Sequence, residues 1–228
     1  MFSISNNGDL ANEFVLFDDF FKLDTASTTG GWAVVNDGTT GSNAVVDRKG
    51  GWVNIVTAAS ADNDYHYLTS QGEHFLFDAT SPIVFQAKVR LTEGNTDDAN
   101  IVIGLTDTVT AGILVNDGAG VATSFDGALW YKVDGGTSWK FTTSNASAQT
   151  TQTPVAFTSG SDYVLGFVYS PMDGVTGKVT PFCNGVFYTP HTITISGLEE
   201  MHAILGVKAG GTSAETLGVD YIYARQDR

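Results

Sequence analysis

The sequence predicts an all-β protein built as an antiparallel β-sandwich. Short apolar runs recur along the 228 residues, separated by clusters of Gly, Asn, Asp and Ser, which is typical of sandwiches rather than of alternating strands and helices. The 26 glycines fit many tight turns, and the 14 Phe, 8 Tyr and 4 Trp are side chains that a buried sheet face favours. With 42% hydrophobic and 16% charged residues, the chain is predicted to bury one large core.

Each predicted strand is an apolar run that ends at polar turn residues. In chain order the runs are 32–35, 43–47, 51–57, 65–69, 75–77, 82–91, 100–106, 112–115, 128–133, 138–142, 163–169, 203–208 and 217–224, with a hairpin at 177–190. The run 82–91 has a clear period of two, with one apolar face: Ile83, Phe85, Ala87, Val89 and Leu91. The hairpin contains Asn184-Gly185, the pair most favourable for a two-residue turn.

The domain prediction is an N-terminal arm at residues 1–12 and a single β-sandwich domain at 13–228. Two segments, 7–17 and 198–202, are predicted as helical. The apolar stretch FVLFDDFF at 14–21 is predicted to pack partly on its own sheet and partly against a partner, with an ordinary first strand as the alternative. The polar stretch 142–153 is either a surface loop or a polar edge of the sandwich.

The charge balance limits the possible partners. A formal net charge of −14 with 11 Lys and Arg makes nucleic acid and anionic membranes poor partners, because phosphate binding depends on clustered cations. The N-terminal residues lack the pattern of a signal peptide, and no apolar run has the length of a membrane span. The expectation is a soluble protein that is not exported by the usual routes.

The stretch SADNDYHY is the densest group of metal-ligand side chains in the sequence. Asp62, Asp64 and His66 are spaced two residues apart, which would place them on one face if the whole stretch were a strand. Because the Asx residues fall between two predicted strands, the preferred interpretation is a turn. His66 is then expected on the opposite face of its strand from Tyr65 and Tyr67, and no metal site is predicted.

Cys183 is the single cysteine, so it cannot form a disulfide within the chain, and it is predicted to be a small buried residue. Asn145 begins a glycosylation sequence that is treated as fortuitous. The acidic pairs 18–19, 97–98 and 199–200 are predicted to be solvated or in turns. The segments 95–100, 115–120 and 158–162 are predicted as turns as well, since none completes a calcium loop or a nucleophile elbow.

The order of these features resembles the concanavalin A-like lectin and glucanase jelly roll, a fold shared by laminin-G-type modules. The resemblance rests on DDFFKLDTASTTGGWAVVNDG, FQAKVRL followed by NIVIGLTD, the hairpin GKVTPFCNGVFYTP and the closing ETLGVDYIYARQD. Together with SADNDYHYL, GALWYKVDGG and SGLEEMHAILGVKAG, these segments also resemble structural proteins of tailed-phage virions that decorate the capsid. The resemblance implies a jelly-roll sandwich over nearly the whole chain.

Two functions found on this fold can be tested on the residues. A retaining glucanase of the family needs two Glu flanking an Asp on one strand, and none of Glu13, Glu73, Glu93, Glu199, Glu200 and Glu215 has that spacing. A lectin needs accessible aromatic side chains, often beside calcium. Trp130, Tyr131 and Trp139 are candidates for stacking on sugar, but strand aromatics belong more often to a core.

The prediction is therefore a non-enzymatic virion structural protein, a capsid decoration protein whose partner is the major capsid protein. No catalytic residues, cofactor or metal are predicted. The resemblance implies a homo-oligomer that is made in the host cytoplasm, with a trimer as the expected form, because many symmetric copies multiply modest contacts. A carbohydrate-binding module, for example on a tail fibre, is the alternative.

Overall fold

The computed structural model describes residues 12–26, 31–38, 41–59 and 61–227. Nine strands in this part of the chain form the first sheet: β1 (Glu13–Asp18), β3 (Ser42–Val46), β4 (Trp52–Val56), β6 (Ile83–Thr92), β13 (Asp162–Pro171), β14 (Thr176–Cys183), β15 (Val186–Phe187), β16 (His191–Thr194) and β18 (Thr216–Asp227). Their order is β15-β14-β13-β6-β18-β4-β3, with β1 paired to the second half of β18 and β16 paired to β14.

The described residues place seven strands in a second sheet: β2 (Trp32–Asn36), β5 (Tyr65–Ser70), β7 (Ala99–Thr106), β10 (Gly127–Lys132), β11 (Ser138–Asn145), β12 (Ala148–Ala156) and β17 (His202–Ala209). Their order is β12-β11-β10-β7-β17-β5-β2. A short 3-10 turn, Ala111–Ile113, leads into a two-stranded sheet of β8 (Leu114–Val115) and β9 (Gly120–Val121). The strand pairs are antiparallel, so the predicted antiparallel β-sandwich is confirmed.

The core lies between the inner faces of the two sheets, as the alternating pattern in β6 predicts. Its five inward residues, Ile83, Phe85, Ala87, Val89 and Leu91, are fully buried, and those between them are half-buried. The Asn184-Gly185 turn also forms as predicted, because both residues have positive φ, 50° and 80°.

Both helix predictions are wrong where they can be compared with the structure. Glu13–Asp18 is strand β1, since Leu16 packs into the core and the backbone pairs with β18; residues 7–11 lie outside the described residues, as does most of the predicted arm. Residues 198–201 are irregular, because Met201 pairs with Phe75 before β17 begins at His202. Tertiary pairing has overridden local propensity in both segments.

Two strand predictions also need correction. Phe75 makes an isolated bridge to Met201, and residues 75–77 do not form a strand. Of the predicted strand 112–115, the first two residues belong to the 3-10 turn and the last two form β8. The polar stretch 142–153 is the edge of the second sheet, the second of the two alternatives. There β11 and β12 form a hairpin with Asn145 opposite Ala148.

Candidate functional site

The described part of SADNDYHY, residues 61–67, is a turn followed by the start of a strand. Asn63 has a positive φ of 66°, and strand β5 begins at Tyr65. Two hydrogen bonds join Asn63 to Asp117: Nδ2 of Asn63 donates to Oδ1 of Asp117 at 3.1 Å, and the backbone N–H of Asp117 donates to Oδ1 of Asn63 at 3.2 Å. The turn therefore joins the second sheet to the segment that carries β8 and β9.

His66 does not form a metal-ligand group with Asp62 and Asp64. Its ring is buried, its Nε2 lies 2.7 Å from the amide nitrogen of Asn43, and burial lowers its pKa. The rings of Tyr65 and Tyr67 lie against each other on the other face, 5.0 Å apart, as predicted. Among the described residues, no group of three or more His, Cys, Asp or Glu is placed to hold a metal ion.

Residues 107–126 cover the outer face of the second sheet. Ile113, Leu114 and Phe125 are buried against outward side chains of the sheet, including Tyr67 and Tyr131. Lys208 holds this covering segment in place, since its buried Nζ donates to the carbonyl of Leu114 at 2.8 Å and to the side chain of Asn116. Burial lowers the pKa of Lys208, while the nearby aspartates oppose the shift.

The aromatic residues considered for sugar stacking are inside the protein. Trp130 and Trp139 are fully buried between the sheets, and Nε1 of Trp130 donates to the carbonyl of Gly166 at 2.9 Å. Tyr131 lies on the outer face of the second sheet beneath the covering segment and is 6% exposed. None of these three rings presents an open face to a ligand.

A buried ion pair lies at one end of the sandwich. Nζ of Lys132 is 2.7 Å from Oε1 of Glu93, and both side chains are almost entirely buried. The same ammonium group donates to three carbonyl oxygens at 3.2 Å, those of Asp97, Ala99 and Val133. The hydrogen-bonding capacity of Lys132 is thus used within the fold, which gives it a structural role.

Glu215 stands beside this pair and is fully buried. Its Oε2 accepts the Gly94 N–H at 3.1 Å, whereas Oε1 has no hydrogen-bond partner among the described residues. Burial is the main reason that its pKa is raised to about 7, and repulsion from Glu93 contributes. The local sequence does not reveal this group, because residues 93, 132 and 215 are far apart in the chain and are brought together only by the fold.

An open cleft of about 400 Å³ adjoins the charged group. Residues 93–97 form one wall, and Thr137, Phe157 and Ser159 complete the lining. The cleft is polar apart from the ring of Phe157, which is 9% exposed. Because Glu215 does not line the cleft, its carboxyl group is not placed to exchange a proton with a molecule bound there.

The other residues considered in the sequence, namely Cys183, Asn145 and the acidic pairs, are held by contacts within the fold or lie at its surface. Cys183 is buried, and burial raises the pKa of its thiol to about 11. The Asn145 amide donates to the carbonyls of Thr194 and Ser196 at 2.8 and 3.1 Å. The acidic pairs lie in turns or at the surface as predicted, with one exception, since Asp18 is only 5% exposed.

Asp18 is buried because it holds the turn that follows β1. Its Oδ1 accepts the N–H of Phe20, which has a positive φ of 51°, and its Oδ2 accepts the indole N–H of Trp32. This turn buries Phe20 and leaves Phe21 70% exposed. The stretch 14–21 is thus a first strand followed by a turn, and a contact with a partner stays a prediction.

No known protein family matches the sequence, and no curated protein matches it. Within the described ranges, no helix is both long enough and apolar enough to cross a membrane. Several solved structures are similar to this chain over most of their own length.

A protein of unknown function from Shewanella oneidensis MR-1 matches with a TM-score of 0.63 at 16% identity, over 95% of this chain and 87% of that chain. Peanut lectin matches with a TM-score of 0.60 at 12% identity, over 94% and 97%. An endo-1,3-β-glucanase from Streptomyces sioyaensis matches with a TM-score of 0.61 at 11% identity, over 95% and 97%. At such low sequence identity these matches show the fold alone. They confirm the predicted concanavalin A-like jelly roll.

Proposed function

We propose that this chain is a non-catalytic structural protein that attaches to the outer surface of a tailed-phage capsid, with the major capsid protein as its partner. The choice of partner rests on the sequence resemblance described above. The proposed point of contact rests on geometry, namely the turn between β13 and β14. Met172 and Val175, at the tip of this turn, are 58% and 60% exposed.

The turn is held in one conformation by Asp173. Its Oδ1 accepts the N–H groups of Val175 and Thr176, at 3.0 and 2.6 Å, and the Thr176 hydroxyl at 2.9 Å. These hydrogen bonds, those from Thr176 first, lower the pKa of Asp173. An ordered turn loses little conformational entropy on binding, which favours a contact through Met172 and Val175.

The distribution of large side chains favours a protein partner over a sugar. All four tryptophans, Trp32, Trp52, Trp130 and Trp139, are at most 2% exposed. The larger exposed apolar side chains include Phe, Met and Val, which suit protein contacts better than sugar stacking. Many copies on one particle would then multiply a weak contact at each turn.

Co-sedimentation with undecorated capsid shells tests the proposal. We expect the wild-type protein to pellet with shells, and the double variant Met172→Ser/Val175→Ser to stay in the supernatant. The matched control is Val34→Ser/Val45→Ser, two valines that are 38% and 41% exposed on strands β2 and β3. Absence of wild-type binding, or equal binding by the turn variant, would refute this function.

Carbohydrate binding is the second candidate, and the cleft beside Phe157 favours it. Asn95, Thr96 and Ser159 offer polar side chains around one aromatic ring, a composition suited to a sugar. A glycan array tests this alternative, with Thr96→Trp introduced to fill the cleft. Glycan binding that this substitution abolishes would support the second candidate, and an array without signal would exclude the glycans tested.

A further inference from the structure

Six residues form a row across the outer face of the first sheet, because the strand register places each opposite the next. The row is Phe17, Tyr223, Gln86, Gly166, Phe182 and Phe187. Their neighbours along each strand, such as Leu16 and Ile222, point into the core. Phe17 and Phe187, at the two ends of the row, are 40% and 60% exposed.

The aromatic end of the row is flat because Gly166 has no side chain. A Cβ at Gly166 would lie 2.3 Å from Cζ of Phe182, so the Phe182 ring occupies this space. The rings of Phe182 and Phe187 are 5.3 Å apart. The glycine thus lets the Phe182 ring lie over the sheet, where Phe187 extends the apolar surface to the edge.

The next row of the same face is largely aliphatic. Val15 is opposite Arg225, Arg225 is opposite Val84, and Val84 is opposite Val168. The three valines are half-buried, so part of each remains accessible at the surface. The two rows together contain Val, Tyr, Phe and Arg, and the last three are residue types enriched at protein interfaces.

Three cations on this face each contact at least one carboxylate, although the whole chain carries a formal charge of −14. Lys88 pairs with Asp220 at 2.6 Å, and Arg90 pairs with Asp162 at 2.5 Å. Arg225 contacts Glu13 at 2.7 Å and Asp227 at 2.8 Å. Two copies that meet through this face avoid much of the repulsion between their acidic surfaces elsewhere.

The size of the face fits a stable interface between two copies. Six adjacent strand positions span about 24 Å, and the length of β6 is about 33 Å, which gives about 800 Å² from each copy. That is the area of a standard protein interface. A two-fold axis brings the same face of each copy together, and two such sheets pack about 10 Å apart.

We propose that the outer face of the first sheet is a self-association surface, through which two copies of this chain form a face-to-face dimer. The two-fold symmetry differs from the trimer expected from the sequence resemblance. The surface is separate from the Met172–Val175 turn, so the dimer and the capsid contact can fail independently.

Analytical ultracentrifugation of the full chain tests the dimer. At micromolar concentrations we expect about twice the chain mass of 24.1 kDa. Phe17→Ser/Phe187→Ser should weaken association at least tenfold and yield monomers. The control Val45→Ser/Val175→Ser changes residues that are 41% and 60% exposed, matching the two phenylalanines, and should leave the dimer intact.

Arg225→Glu provides a second test that retains the apolar residues. It places a third carboxylate beside Glu13 and Asp227 in each copy, and it should also yield monomers. Circular dichroism of each variant establishes that it is folded. Two results would overturn the proposal. One is a wild-type protein that is monomeric or trimeric at about 10⁻⁴ M, a concentration well above the dissociation constant of a stable dimer. The other is a dimer that neither Phe17→Ser/Phe187→Ser nor Arg225→Glu affects.

Discussion

Asp18 and Trp32 are joined by a buried hydrogen bond in which the indole N–H donates to Oδ2 at 2.8 Å. Oδ1 of the same carboxylate accepts the Phe20 N–H at 2.8 Å. One side chain thus fixes both the turn after β1 and the first strand of the second sheet. The rings of Phe20 and Trp32, 5.6 Å apart, pack together as a result.

We expect Asp18→Ala to lower the free energy of unfolding by about 3 kcal/mol, because it leaves two buried donors without their acceptor. Urea denaturation followed by circular dichroism measures the change. The neighbouring Asp19→Ala is the control and should shift stability by less than about 0.5 kcal/mol. Equal effects of the two substitutions would show that the buried carboxylate does not hold the turn.

The Glu93–Lys132 ion pair should show strong coupling. Lys132→Met is expected to destabilise the protein by about 3–5 kcal/mol, since it leaves Glu93 buried without its cation. Adding Glu93→Gln should recover part of this loss, and a double-mutant cycle in urea measures the coupling. Lys140→Met, on the outer face of the same sheet, is the control. If the losses in unfolding free energy from Lys132→Met and Glu93→Gln simply added in the double variant, the ion pair would be contradicted.

The Cys183 thiol should be protected in the folded protein. Burial raises its pKa from 9.0 to about 11, so at pH 8 the reactive thiolate is about 100-fold rarer than in the unfolded chain. A thiol-reactive chromogenic disulfide measures labelling rates in buffer and in urea. Cys183→Ser gives the background signal, and a native rate within tenfold of the unfolded rate would contradict the burial.

The sequence predicted what depends on local pattern. Alternation in β6 and the Asn184-Gly185 turn are properties of neighbouring residues, and both occur as expected. Local pattern leaves residues 14–17 open to either a helix or a first strand, because the partner that makes them strand β1 is β18, at the other end of the chain. The buried charged group could not be predicted for the same reason. Glu93 and Glu215 are 122 positions apart in sequence, and only the pairing of β6 with β18 brings them close together.

The burial of Glu215 has a consequence for the pH dependence of stability. Its pKa in the folded protein, about 7, exceeds the ordinary value of 4.5, chiefly because the side chain is buried. Between these values the folded state retains a proton that the unfolded state has lost. Stability should therefore fall as pH rises from about 4.5 to about 7, and then level off.

We expect the contribution of Glu215 to this fall to be about 3 kcal/mol, because each pKa unit corresponds to 1.36 kcal/mol. Glu215→Gln stays neutral while keeping an acceptor for the Gly94 N–H. Relative to the wild type, the variant should gain about 3 kcal/mol between pH 4.5 and pH 8 in urea denaturation experiments. The control is Glu200→Gln at an exposed position, and its stability should change with pH in the same way as that of the wild type. If the stability of Glu215→Gln also changed with pH as that of the wild type does, the buried carboxyl group could not be the source of the pH dependence.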